Sequence, residues 1–135
     1  MITKIRSEEV YRHFKGEEKL YKVLGVARCK IIRQSDLKNL ELICHAKDCE
    51  NPDEEFDVFR EILEEINSAN VKFWINGKDK ITYVVYQQLY SSEDFPKNTI
   101  WMRSIRDFTG YKNLEEGRRV KRFELVKDLS LVTNI

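Results

Sequence analysis

Three short blocks in this 135-residue chain hold the side chains best suited to chemistry. They are Val10-Tyr11-Arg12-His13-Phe14-Lys15-Gly16, Val84-Val85-Tyr86-Gln87-Gln88-Leu89-Tyr90 and Trp101-Met102-Arg103. Each interleaves bulky aromatics with cationic or polar residues. Rings of this kind stack on bases at roughly 1–3 kcal/mol each, and arginine forms paired hydrogen bonds to phosphate or carboxylate. Arg12, His13, Tyr86, Trp101 and Arg103 are therefore the candidate ligand-binding set, suited to a small anionic or nucleotide-like molecule. The competing roles are core filling for Tyr86 and Trp101 and surface ion pairing for Arg12 and Arg103.

His13 is the candidate acid–base residue, because an unperturbed imidazole titrates near pH ~6.5. Catalysis requires Glu17, Glu18 or Tyr11 within hydrogen-bond reach of it. A strand histidine bonded to backbone is the alternative. No nucleophile elbow, phosphate loop, dinucleotide fingerprint or His-Glu-x-x-His motif is present, so the sequence leans away from an enzyme and implies no cofactor.

A second class of function rests on that same aromatic and cationic face joined to the basic run Arg118-Arg119-Val120-Lys121-Arg122. Strand alternation sets Arg118, Val120 and Arg122 on one face and Arg119, Lys121 and Phe123 on the other. Such a run contacts the phosphates of RNA or single-stranded DNA. It also serves as a charged edge that discourages aggregation.

Cys44-His45-x-x-x-Cys49, with Cys29, could supply four zinc ligands, but no tight Cys-x-x-Cys pair accompanies them. Three cysteines at irregular spacing read instead as reduced cytosolic thiols, with no metal. No apolar run approaches the ~20 residues of a membrane span, and the first residues lack an apolar signal-peptide centre. A cytoplasmic protein is expected.

Lys and Arg number 24 and Asp and Glu 23, a net charge of +1 that argues against non-specific nucleic-acid binding. The balance hides segregation, since ten acids between residues 41 and 65 face only Lys47 and Arg60.

The elements that must position these residues follow from pattern. Val10–Phe14 and Leu20–Arg28 flank a glycine-bearing turn and predict a hairpin, with a capped helix over Glu8–Lys15 as the competing reading. On the second strand Tyr21, Val23, Gly25 and Ala27 share a face, and Gly25 suits a bend or the close approach of another backbone. Leu40–Ala46 reads as a strand. Asn51-Pro52-Asp53-Glu54-Glu55 is a helix start, and Phe56, Phe59, Ile62, Leu63 and Ile66 recur at helical spacing, which predicts an amphipathic helix over about 52–68. Its acidic face offers a third class of function, a docking surface for a protein partner.

Asn76-Gly77 between Val71–Ile75 and Lys80–Tyr90 predicts a hairpin. Ile100–Arg103 is a short strand, and Glu115-Glu116-Gly117-Arg118-Arg119 turns into Val120–Val126. No linker divides the chain. One α+β domain is expected, a strongly bent antiparallel sheet or small barrel with one helix.

The blocks also carry a family resemblance. Tyr11–Gly16, Tyr21-Lys22-Val23-Leu24-Gly25-Val26-Ala27, Val84–Tyr90, Trp101-Met102-Arg103 and a final hairpin at Glu116–Phe123 resemble, in order, the motifs of the bacterial domain-of-unknown-function family 1653. The resemblance implies a small SH3-like β-barrel built from about 10–32 and 81–126, and it hands over no activity. Residues 33–80 then look like an insertion. Ser104 stands where the family has proline, and Arg28-Cys29-Lys30 replaces its His-Ser/Thr-Glu segment.

Overall fold

The computed structural model describes residues 5–62 and 72–126. Strands dominate: β1 (Val10–His13), β2 (Leu20–Lys30), β3 (Leu40–Asp48), β4 (Glu55–Glu61), β5 (Phe73–Asn76), β6 (Thr82–Gln88) and β7 (Ile100–Ser104). After them come one turn of helix, α1 (Ile105–Phe108), then β8 (Tyr111–Asn113), β9 (Arg119–Lys121) and β10 (Phe123–Leu125). A 3-10 turn at Gln34–Asn39 joins β2 to β3.

Six strands in the order β2-β5-β4-β3-β7-β6 close into a barrel, because β6 pairs back onto β2. The β2–β5 and β3–β7 pairs are parallel and the other barrel pairs are antiparallel. The 11-residue β2 outruns any single partner. Its first part pairs β1 on one edge, its last part pairs β5 on that edge, and β6 runs along the other. The expected β1–β2 hairpin is present, and β10 extends the sheet beyond β1.

Two cores result. Ala27, Ala46, Val58, Ile75, Val85 and Met102, one from each barrel strand, pack together inside the barrel. Val23, Val84, Tyr86 and Trp101 point the other way, as the pleat requires. They form a second core with Tyr11, Phe108 and Phe123, which β1, α1 and β10 lay over the barrel's outer wall.

The expected helix over 52–68 is not found where it can be checked. Glu55–Glu61 is strand β4, and 63–68 lie outside the described residues. The run satisfies two periods at once, and tertiary pairing decides between them. Phe56 and Val58 alternate into the barrel core, while Glu55 and Asp57 meet Lys47 and His45 across the sheet at 2.8 and 2.7 Å. Glu41 pairs with Arg60. The acidic face is thus a cross-strand ion-paired face. Asn51-Pro52-Asp53-Glu54 makes the β3–β4 turn, with Glu54 N–H donating to the Asn51 carbonyl at 2.9 Å. Such residues favour turns as well as helix starts.

Two further expectations change. Residues 33–80, read as an insertion into a finished barrel, supply β3, β4 and β5, half of its wall. Asn76-Gly77 joins no hairpin, because β5 and β6 lie on opposite sides of β2. The loop crosses over the end of β2 instead, where Gly77 N–H donates to the Lys30 carbonyl at 3.0 Å and Asn76 Oδ1 accepts from Ile32 N–H.

Gly25 sits at a register shift in the β2–β6 ladder, and a Cβ there would overlap the Phe73 ring inside the barrel. What approaches Gly25 closely is a side chain. Gly25→Ala should lower unfolding stability by about 1–3 kcal/mol in urea denaturation. Adding Phe73→Leu should recover part of that loss; an unchanged midpoint for Gly25→Ala would contradict this packing.

Candidate functional site

The predicted residues divide between two places. Tyr86 and Trp101 belong to the second core, 2% and 8% exposed. Trp101 Nε1 donates to Gln88 Oε1 at 3.1 Å, and Phe95 closes its face at 4.7 Å between ring centroids. Gln88 is itself buried and held by the Tyr90 and Phe95 carbonyls. The indole is buried and anchored, with little surface left for stacking. The Tyr86 ring contacts Tyr21, Phe108 and Phe123, and burial pushes its hydroxyl up to about 12. Truncating a buried aromatic of this kind costs about 3–5 kcal/mol, so both residues act through packing.

Arg103 projects from β7 on the same side as Trp101. Its Nε donates to the Tyr86 hydroxyl at 3.3 Å, and its guanidinium lies 5.4 Å from the centre of the Phe123 ring. Arg103 therefore edges the second core and does not share a cleft with Arg12.

Arg12 and His13 stand at the end of β1, where the β1–β2 turn meets the β8–β9 hairpin. There they line a cleft of about 330 Å³ with Phe14, Lys15, Arg118 and Lys121. The two basic groups lie far apart in sequence; the fold brings them to one cleft. Glu17 and Glu124 lie in the same cleft. Arg12 faces Glu124 at 3.8 Å, and Arg118 is held by Glu116 at 3.0 Å. The hairpin reaches this position through Gly117, whose φ of +86° is a conformation that favours glycine.

The expected alternation along Arg118–Arg122 does not run through. The ladder breaks at Arg122, between β9 and β10. Arg118, Val120 and Lys121 line the cleft, Arg119 stacks 4.4 Å from the centre of the Tyr111 ring, and Phe123 enters the second core. Arg122 is partly buried, and its Nε is a buried nitrogen without a hydrogen-bond partner.

His13 differs most from its sequence reading. Its ring packs against Phe14 at 4.6 Å and edge-on to Phe123 at 5.0 Å. Nδ1 accepts from the Lys15 backbone N–H at 3.2 Å, which leaves the proton on Nε2. Glu17 and Glu18 make no hydrogen bond to it, and the Tyr11 hydroxyl donates to Glu9 at 3.5 Å. Burial, then Arg103, Lys15, Arg122 and Lys19, push the imidazole down to about 4. His13 is neutral at pH 7 and reports a strongly positive surrounding.

Phe14 and Lys15 complete the cleft and stand outside the candidate ligand-binding set. The signal was local: they occupy or flank the β1–β2 turn, where side chains escape the pleat. The cysteines separate as well. Cys29 and Cys44 pack against the barrel core and Cys49 against the second core, while His45 faces outward to Asp57. Burial raises the Cys29 thiol to about 12, with Asp79 adding to it, and burial raises Cys44 to about 11. Among the described residues no group of three or more potential ligands could hold a metal, and no helix is long and apolar enough to cross a membrane.

No family model matches the chain, and neither a curated protein nor a solved structure matches it.

His13 also links pH to stability. With a folded value near 4 and an unfolded value near ~6.5, the unfolded chain takes up the proton first as pH falls. His13 should therefore withdraw stability between about pH 6.5 and pH 4 and change nothing further below that. Urea midpoints across this range should fall less steeply for His13→Gln than for the parent, and proton NMR should show His13 titrating near 4. A titration near ~6.5 would contradict the described environment.

Proposed function

We propose that the chain is a non-enzymatic binding module that holds a small anionic or nucleotide-like ligand in the cleft between the β1–β2 turn and the β8–β9 hairpin. The observation that carries this reading is the convergence of Arg12, Lys15, Arg118 and Lys121 around a neutral His13. Guanidinium and ammonium groups supply charge-assisted hydrogen bonds to phosphate or carboxylate. Phe14 and the His13 ring supply apolar and planar surface beside them. His13 offers Nε2–H as a neutral donor, and no acid–base partner accompanies it, so the reading contains no catalytic step.

Arg103, Tyr86 and Trp101 support the site from behind. Arg103 and Tyr86 contact Phe123 and so fix the wall against which His13 packs, with Trp101 in the same core. Membership of family 1653, with an SH3-like descent for the barrel, belongs to the same proposal and rests on the sequence blocks. So does a cytoplasmic setting, which the three free thiols favour. Single-stranded RNA or DNA on the β8–β9 hairpin is the second reading, favoured by the Arg119–Tyr111 pair with its exposed ring. An acidic helix as a protein-docking face loses its support over 55–61, which is strand, with Glu55, Asp57 and Glu61 bonded across it to Lys47, His45 and Trp74.

Isothermal titration at low salt with inorganic pyrophosphate and with adenosine triphosphate tests the reading. One of them should bind, and the double variant Lys15→Glu/Arg118→Glu should weaken it by about tenfold or more, worth about 1.4 kcal/mol. Binding should also raise the His13 titration, because an anion nearby favours imidazolium. Absence of binding, or an affinity the double variant leaves unchanged, would falsify the proposal.

A further inference from the structure

We propose a second binding surface, on the outer wall of the barrel, for single-stranded nucleic acid. It is independent of the cleft at β1, and it lies at the other end of β2, roughly 30 Å away along the strand.

The surface follows from register. Thr82, Arg28, Trp74, Phe59 and Leu42 are successive cross-strand partners on β6, β2, β5, β4 and β3. Their neighbours Ala27, Phe73, Ile75 and Val58 pack inside the barrel, so this row points outward. Five residues on adjacent strands make a band roughly 19 Å long. Trp74 and Phe59 stand side by side at its centre, Arg28 is exposed beside them, and Leu42 is 48% exposed at the end.

Cations line the band. Lys30 Nζ sits 4.4 Å from the centre of the Trp74 ring, so an ammonium covers a face of that indole. A cleft of about 700 Å³ opens beside Trp74, lined by Arg28, Lys30, Lys78 and Lys80 together with the exposed Ile31 and Ile81. Among the described residues no ion pair engages any of those four cations. Asp79 lines the same cleft, and it and Glu61 each accept hydrogen bonds from neutral groups of the wall. Asp79 accepts from Ile81 N–H at 3.0 Å and from the Tyr83 hydroxyl at 3.1 Å. Glu61 accepts from Trp74 Nε1 at 2.9 Å, which fixes the plane of the ring.

Adjacent aromatic rings flanked by unpaired cations match a polymer that offers a base and a phosphate in every unit. A duplex offers phosphates with its base faces hidden, and an acidic protein surface has no need of the indole. A base takes the place of the Lys30 ammonium over Trp74, and the ammonium turns to the adjoining phosphate.

Fluorescence anisotropy with a short labelled oligothymidylate at low salt, on the full chain, tests this. Lys78 and Lys80 are exposed loop residues, so Lys78→Glu/Lys80→Glu should fold normally. It should weaken binding about tenfold or more and flatten the salt dependence, by about 0.7 in slope for each phosphate it no longer neutralises. Arg118→Glu/Lys121→Glu should leave the affinity within about twofold. The oligonucleotide should quench tryptophan emission in the parent and far less in Trp74→Phe, since Trp101 is buried. No binding at low salt, an unchanged affinity in the Lys78/Lys80 variant, or equal binding of duplex without quenching would overturn the proposal. Loss of binding in the Arg118/Lys121 variant alone would also overturn it and move the strand to the β8–β9 hairpin.

Discussion

Everything in this fold hangs on β2 being paired along both edges. Its ladder with β6 closes the barrel, and its other edge passes from β1 to β5 part-way along. That handover separates a closed barrel at one end of the strand from an open, two-layered sheet at the other. The register shift at Val23–Gly25 falls there, and Gly25 leaves room for Phe73 inside the wall. A side chain at this point would press on the barrel core while leaving the second core intact.

Because β2, β6 and β7 serve both cores, the pleat decides which residues can meet solvent. Val85 and Met102 look inward, and Tyr86 and Trp101 look outward into a layer that β1, α1 and β10 cover. Aromatic side chains on these strands are therefore consumed by packing. Cations survive at the margins, where strands end. Arg103 sits at the edge of the second core, and Arg12, Lys15, Arg118 and Lys121 gather where the β1–β2 turn and the β8–β9 hairpin approach each other. His13, packed between Phe14 and Phe123, stays neutral because burial and the charges of Arg103, Lys15, Arg122 and Lys19 act in the same direction.

Local pattern was legible and pairing was not. Turn chemistry around Lys15-Gly16 and Glu116-Gly117 identified two hairpins, and both are present. The unbroken apolar run Tyr83–Tyr86 held a usable signal, since a strand buried on both faces reads as continuous rather than alternating. It should have moved Tyr86 into a core. Glu55–Glu61 fits both strand and helix periods, and pairing with β3, with its cross-strand ion pairs and the inward packing of Phe56 and Val58, decides between them. Asn76-Gly77 is a hairpin signal overridden by the need to step across β2. Nothing local places Arg12 beside Arg118 or lines up Arg28, Trp74 and Phe59, because those neighbours come from distant segments.

The central claim is that ligand chemistry resides in the cations at the end of β1 and not in the aromatic blocks that first draw attention. A backbone-amide NMR titration with inorganic pyrophosphate tests it most directly. The account predicts shifts concentrated at His13, Lys15, Gly16 and Glu17 together with Arg118 and Val120, with Trp101 and Met102 still. Shifts centred on Trp101 and Gln88, or none at any of these amides, would contradict it.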